Sequence, residues 1–169
     1  EYAEIGIVDK LFSRIGASDD LISGKSTFMV EMIETAAILN QATGRSFVIL
    51  DEVGRGTSTF DGFAIAASVV NYLYYVNKCR AFFSTHYHEI KSLKNTLSKV
   101  KFITMQITEY NDEIIFNHKA IEGISDKSYG IFVAKLASIP GQVINLANEI
   151  LKNLEKKPDS LSHSSVNQC

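Results

Sequence analysis

Phe47-Val48-Ile49-Leu50-Asp51-Glu52-Val53-Gly54-Arg55-Gly56-Thr57-Ser58-Thr59-Phe60-Asp61-Gly62 runs from a compact apolar stretch through two acids and a glycine-rich turn into a new apolar pattern. Four apolar residues are too few for a helix and rich in β-formers, so residues 47–50 predict a parallel strand buried on both faces. Residues 60–77 read as a mostly buried helix, because their apolar side chains cover more than one face. Residues 81–84, Ala-Phe-Phe-Ser, read as the next central strand. Strand, turn, helix and strand in this order make a βαβ unit, for which a right-handed crossover is expected. The chain is therefore expected to be α/β around a largely parallel central sheet.

Working outward, residues 10–15 suit a short strand and residues 27–42 a helix. In the helix Phe28, Met32, Thr35, Ala36 and Leu39 recur at three- and four-residue steps, and Gly44 follows as a stop signal. Downstream, Ile103, Met105 and Ile107 alternate, and a second run at 113–119 follows across Tyr110, Asn111 and Asp112, predicting a β-hairpin. Tyr129, Phe132, Val133, Leu136 and Ala137 mark a helix. Pro140 stands where a first helical residue is favoured, ahead of Val143, Ala147, Ile150, Leu151 and Leu154. Residues 158–169 are polar and without period, which predicts a disordered tail after one domain at 1–157.

The 169 residues carry 17 Lys+Arg against 19 Asp+Glu and are 46% hydrophobic, the balance of a soluble globular domain. A net charge of −2 leaves no global basic field, which excludes holding DNA or anionic membrane chiefly by electrostatics. The longest apolar stretch, 63–76, is interrupted by Ser68, Asn71 and tyrosines, short of the roughly 18 continuous apolar residues a membrane span needs. The first nine residues lack the layout of a signal peptide. Cys79 and Cys169 give neither a disulfide framework nor metal spacing, so a reducing cytoplasm is the expected compartment.

Three clusters can carry chemistry. Gly24-Lys25-Ser26-Thr27 ends like a phosphate-binding P-loop, but the required glycine five positions earlier is Asp19, and Ser18-Asp19-Asp20 would repel a triphosphate. A helix N-terminus with a hydroxyl at Ser26 can still meet an anion presented from outside, and the plain alternative is an N-cap by Ser23 or Ser26. Asp51 and Glu52 end a strand at the edge where open α/β sheets bind ligands. An Asp there can hold hydrated Mg²⁺ and a Glu can orient or deprotonate a water; the alternative is a pair of solvated acids. Ser84-Thr85-His86-Tyr87-His88-Glu89 ends the next strand, so His86 is expected to face the same cleft as Glu52 and to sense a phosphate oxygen or a water.

The same residues admit other readings. A metal site from His86, His88 and Glu89 is disfavoured because alternate strand residues point apart. A Ser/His/Asp hydrolase from Ser84 or Ser58, His86 and Asp51 lacks a G-x-S-x-G nucleophile turn. Tyr72, Tyr74 and Tyr75 could stack on bases, but on so apolar a helix they are expected in the core.

Taken together, residues 15–21 leading into Gly24-Lys25-Ser26-Thr27-Phe28-Met29-Val30-Glu31-Met32, the stretch 50–62, and Ser84-Thr85-His86-Tyr87 closely resemble the C-terminal ATPase domain of the MutS family of DNA mismatch-repair proteins. Lys127-Ser128-Tyr129-Gly130-Ile131 and Val133-Ala134-Lys135-Leu136-Ala137 resemble that family's helical dimerisation segment, within 127–154. The resemblance spans about residues 4–154. It implies a partial ABC-type P-loop NTPase fold in which two domains pair head to tail around two shared ATP sites. By the resemblance, Gly24 and Ser26 belong to the signature loop that reaches the partner's γ-phosphate, Asp51 is the Walker B carboxylate for Mg²⁺, held through water, and Glu52 polarises the hydrolytic water. His86 is the switch histidine, and Thr57 is a nucleotide-binding residue in the loop 54–61 that crosses the dimer interface beside the partner's nucleotide.

The family's activity implies ATP and Mg²⁺ as ligands, and as partners a second copy or a P-loop-bearing segment, mismatched duplex DNA read through other domains, and downstream repair factors. The family's Walker A loop is expected before Glu1, and no stretch of these 169 residues replaces it. The isolated chain is therefore expected to bind ATP poorly and to hydrolyse it negligibly, and its sheet to have an exposed edge or to lean on another chain. The alternatives are a non-enzymatic dimerisation piece or a remnant of the same protein.

Overall fold

Strand β2 (Phe47–Asp51) is the middle strand of a three-stranded parallel sheet, between β1 (Leu11–Arg14) and β3 (Arg80–Ser84). This is seen in a computed structural model that describes residues 2, 4–16, 26–110, 113–125 and 128–155. The register sets Arg14 beside Leu50 and Asp51 beside Ser84, so the ends of all three strands lie together. β3 was expected to be central; among the described residues it is an edge strand.

Alternation sorts the strand residues onto two faces. Phe12, Arg14, Val48, Leu50 and Phe83 share one face, where Val48 and Leu50 are fully buried and join Val53, Ile38, Val69 and Leu73 in the core. Phe47 and Ile49 on the other face are only half-buried, and Leu11 and Phe82 there are 64% and 62% exposed. The apolar run is thus fully buried on one face, not on both. The cause is topological: with strands in sequential order, right-handed crossovers place both connecting helices on the same face.

Helix α1 (Thr27–Gln41) opens at Ser26, whose Oγ accepts from Met29 N at 3.2 Å as an N-cap. It turns Glu31, Thr35 and Ile38 inward. It ends at Ala42 in extended conformation, where the Asn77 side-chain amide donates to the Leu39 and Ala42 carbonyls at 2.9 Å each. That borrowed cap does the work expected of Gly44.

Helix α2 (Thr59–Tyr72) opens at Ser58, whose Oγ accepts from Asp61 N at 3.3 Å and donates to Asp61 Oδ2 at 3.0 Å. Gly62, Ala66, Val69 and Leu73 form a single inward stripe. The helix was expected to run regularly to Asn77 and to be mostly buried. It widens instead into a π-turn over Leu73–Asn77, closed by Lys78 at φ +54° donating to Leu73 O at 2.8 Å. Its outer face is open: Tyr72 and Tyr75 are exposed, Tyr74 and Tyr75 meet edge to face, and their hydroxyls reach Ser98 Oγ and Thr96 O. The tyrosines therefore anchor the segment after the 3-10 helix His88–Asn95 and lie outside the core.

The chain forms two compact units, one of residues 1–103 with 122–124, the other of 104–121 with 125–169. In the second, the strands β4 (Ile103–Tyr110) and β5 (Glu113–Glu122) pair as a two-stranded sheet, in agreement with the hairpin reading. Helix α3 (Gly130–Leu136) packs on α4 (Gly141–Glu155). Pro140 sits one position before its expected place, as the cap whose carbonyl accepts from Val143 N and Ile144 N. The tail at 158–169 lies outside the described residues. Among those described, no helix is long and apolar enough to cross a membrane.

Candidate functional site at the carboxyl edge of the sheet

β2 and β3 run parallel and end in register, so their carboxyl ends deliver Asp51 and Ser84 side by side, on the less covered face of the sheet. Ser84 Oγ donates to Asp51 Oδ1, leaving the second carboxylate oxygen for another partner. The chain then turns sharply. Glu52 takes φ +49°, a left-handed conformation costly for a residue with a Cβ, and its N–H donates to Ser84 O at 3.1 Å.

This turn aims the Glu52 carboxylate at the next strand's exit. Oε1 lies 3.8 Å from His86 Nδ1, and Oε2 accepts from Arg55 Nη1 at 2.9 Å. The histidine spacing exceeds a hydrogen bond, and His86 is half exposed, so a small polar group can meet both side chains from the open side. The sequence reading that placed Asp51, Glu52 and His86 on one edge agrees with this arrangement. Ser26 stands at the start of α1, and its Oγ accepts from Met29 N–H. Thr57 is half-buried in the loop between Glu52 and α2. Gly24 lies outside the described residues.

The hydrolase constellation is not assembled. A triad needs the histidine between serine and carboxylate, whereas Ser84 bonds Asp51 directly, His86 faces Glu52, and Ser58 caps α2. Nor do His86 and His88 alternate along a strand, because β3 ends at Ser84 and His88 opens the 3-10 helix. Among the described residues no group of three or more His, Cys, Asp or Glu could hold a metal ion by itself. Asp51, with one oxygen engaged and one to spare, fits a hydrated Mg²⁺, which keeps most of its waters and takes one or two carboxylates plus phosphate oxygens.

A buried layer beneath the site was missed in the sequence. Arg14, on the core face of β1, donates from Nη1 to Asp51 O at 3.0 Å and lies 3.4 Å from the Glu31 carboxylate and 3.6 Å from that of Glu34. Glu31 Oε1 accepts the Gly54 N–H at 2.5 Å, and the Tyr87 hydroxyl donates to Gly54 O at 2.8 Å. Gly54 is thus gripped at both its amide and its carbonyl. Its φ of +90° and a 2.5 Å approach of any Cβ to Gly62 O make glycine necessary there. Tyr87 is buried, and loss of hydration, helped by the charges of Glu31, Glu52 and Glu89, pushes its phenol above the usual range and keeps it a donor. One signal was available: a glutamate three residues after Phe28 and four before Thr35 falls on the inward side of the helix, where apolar residues are expected.

Fold and site together define an α/β domain with acids and a histidine gathered at the carboxyl edge of a parallel sheet. The model of the family described as MutS domain V matches residues 1–155. The DNA mismatch repair protein MutS of Ehrlichia ruminantium, strains Gardel and Welgevonden, is 55% identical over 162 residues, covering 96% of this chain and 20% of that protein. That of Wolbachia pipientis wMel is 56% identical over 155 residues, 92% of this chain and 18% of that protein. The chain belongs to the MutS family of DNA mismatch repair proteins, as its domain V. It spans about a fifth of the length of the curated relatives it matches.

Proposed function

We propose that this domain supplies one half of a composite ATP site in a cytoplasmic mismatch-repair ATPase of ABC type. The reading is carried by one observation: Asp51, Glu52 and His86 converge at the ends of two adjacent parallel strands, with the Glu52 carboxylate turned toward the half-exposed imidazole. Asp51 would hold Mg²⁺ through water, and the ion would supply charge neutralisation on the β- and γ-phosphates. Glu52 orients the attacking water and accepts its proton. His86 donates a hydrogen bond to the γ-phosphate and reports whether it is present. Thr57, in the loop after Glu52, lies beside the nucleotide at the dimer interface. Ser26, with Gly24, reaches the phosphate bound by the partner subunit, its oxygen holding the cap while its hydroxyl donates to that phosphate.

In this reading the Walker A loop comes from a segment outside these 169 residues, and ATP turnover is coupled to mismatched duplex DNA and downstream repair factors through other domains. The unaided chain binds ATP weakly, because no stretch of it has the P-loop spacing that cradles phosphates. A graft tests this: the Ehrlichia protein with its matching 162 residues replaced by this chain. The graft should hydrolyse ATP. Glu52→Gln should lower turnover by about 10²-fold or more while ATP still binds; unchanged turnover would remove Glu52 from the role.

A second property is favoured by α4, whose Val143, Leu146, Ile150 and Leu154 are all half or more exposed along one face. That face suits a second copy of the chain, making the domain a dimerisation element as well. Sedimentation of the chain across a concentration series should show a dimer that Leu146→Glu with Ile150→Glu abolishes.

A further inference from the structure

The buried layer beneath the site joins two parts that, on the reading just proposed, serve different nucleotides. Ser26 caps α1 and would face the partner's site, whereas Glu52 belongs to the subunit's own. The two are tied by short, buried contacts. Glu31, one turn into α1 from the cap, holds the Gly54 amide at 2.5 Å, two residues beyond Glu52. Phe28, on the same side of α1, packs so closely on the loop that a Cβ on Gly56 would lie 3.0 Å from its own Cβ. Arg14 closes the set by bonding Asp51 O and pairing with Glu31. Side chains of both Arg14 and Glu31 are over nine-tenths buried. A charged pair so far from water holds its geometry, because separating the partners strands a charge.

We infer that Arg14 and Glu31 are positioning residues that lock the N-terminal half of α1 to the Asp51–Gly54 turn, so that occupation of one composite ATP site sets the position of Glu52 in the other. Neither residue touches nucleotide in this account. The pair makes α1, the strand end and the loop a single body, so a displacement of Ser26 by the partner's phosphate reaches Glu52 within the same subunit. The inference rests on the roles proposed above for Ser26 and Glu52, but its structural half stands apart from them.

Amide exchange separates the two. In the ligand-free 169-residue chain, replacing Arg14 and Glu31 together by Met removes both charges while filling similar volume, a change that folds even where Glu31→Ala does not. Exchange at the Gly54 amide should then accelerate at least about tenfold, whereas Glu31→Gln, which keeps an acceptor there, should leave it close to the original. Unchanged exchange in the double-Met variant overturns the lock. In the graft, ATP should slow exchange over residues 53–57. The double-Met variant should lose that slowing with ATP affinity altered less than about threefold, and Ser26→Ala should lose it together with its contact to the partner's phosphate. Slowing that persists in the double-Met graft overturns the coupling. A graft that binds no ATP overturns the functional reading and the coupling with it, while the ligand-free measurement still decides the lock.

Discussion

Tyr87 shows how much a single side chain can hold at this site. Its hydroxyl donates to Gly54 O, its ring meets Phe63 edge to face, and it lies 4.2 Å centroid to centroid from His86. Tyr87→Phe keeps the ring and strands the buried Gly54 carbonyl, so the chain should lose about 1–3 kcal/mol in denaturant unfolding. The pH profile carries a second signature. Because burial raises the phenol above its ordinary value of 10.0, its stabilising effect is complete below that value. It is lost as pH climbs through the higher folded value. Unfolding free energy should therefore fall with rising pH above 10 in the unaltered chain, and fall less steeply in Tyr87→Phe. Nothing in the sequence separates Tyr87 from its neighbours, since its partner is a backbone carbonyl 33 residues away.

At the scale of elements, most of the first unit was legible and the misreadings have definite causes. The strands at β1, β2 and β3 follow from short β-rich runs, the start of α1 from Ser26 as a cap, and the start of α2 to within one residue from the end of the glycine-rich turn. The inward face of α1 was read in part: Thr35 is buried and Met32 and Leu39 pack against the core, but Ala36 is exposed and Glu31 and Ile38 were not singled out. Apolar residues occupy more than one side of that helix, so the pattern did not separate the deeply buried Ile38 from the exposed Ala36. The π-turn was hidden because Leu-Tyr-Tyr-Val-Asn carries no proline or glycine to mark an irregularity. Two substitutions test the reasoning about α2. Ser58→Ala should cost about 0.5–2 kcal/mol by removing the cap. Gly62→Ala should cost about 1–3 kcal/mol, since a Cβ there runs into the Tyr87 hydroxyl and the Gly54 carbonyl oxygen. Thermal melts of both variants check these values. An unshifted Gly62→Ala would mean that the loop and α2 do not meet so closely.

For the whole molecule, the sequence located the exposed half of the site and missed its foundation. Asp51, Glu52 and His86 stand where a parallel sheet concentrates chemistry, and that follows from strand order alone. Arg14, Glu31 and Gly54 meet only once β1, α1 and the loop are folded together, which spacing along a chain does not encode. The central claim is that Ser26 serves the partner's nucleotide and Glu52 the subunit's own. Subunit mixing in the grafted protein tests it most directly, through the steady-state ATP hydrolysis of Ser26→Ala and Glu52→Gln separately and then combined. Each variant alone should be nearly inactive. A mixed dimer keeps one intact site, so random mixing should restore hydrolysis, up to about a quarter of the original rate if the two sites turn over independently. No recovery in a mixture shown to exchange subunits would place both residues in the same subunit's site and contradict the account.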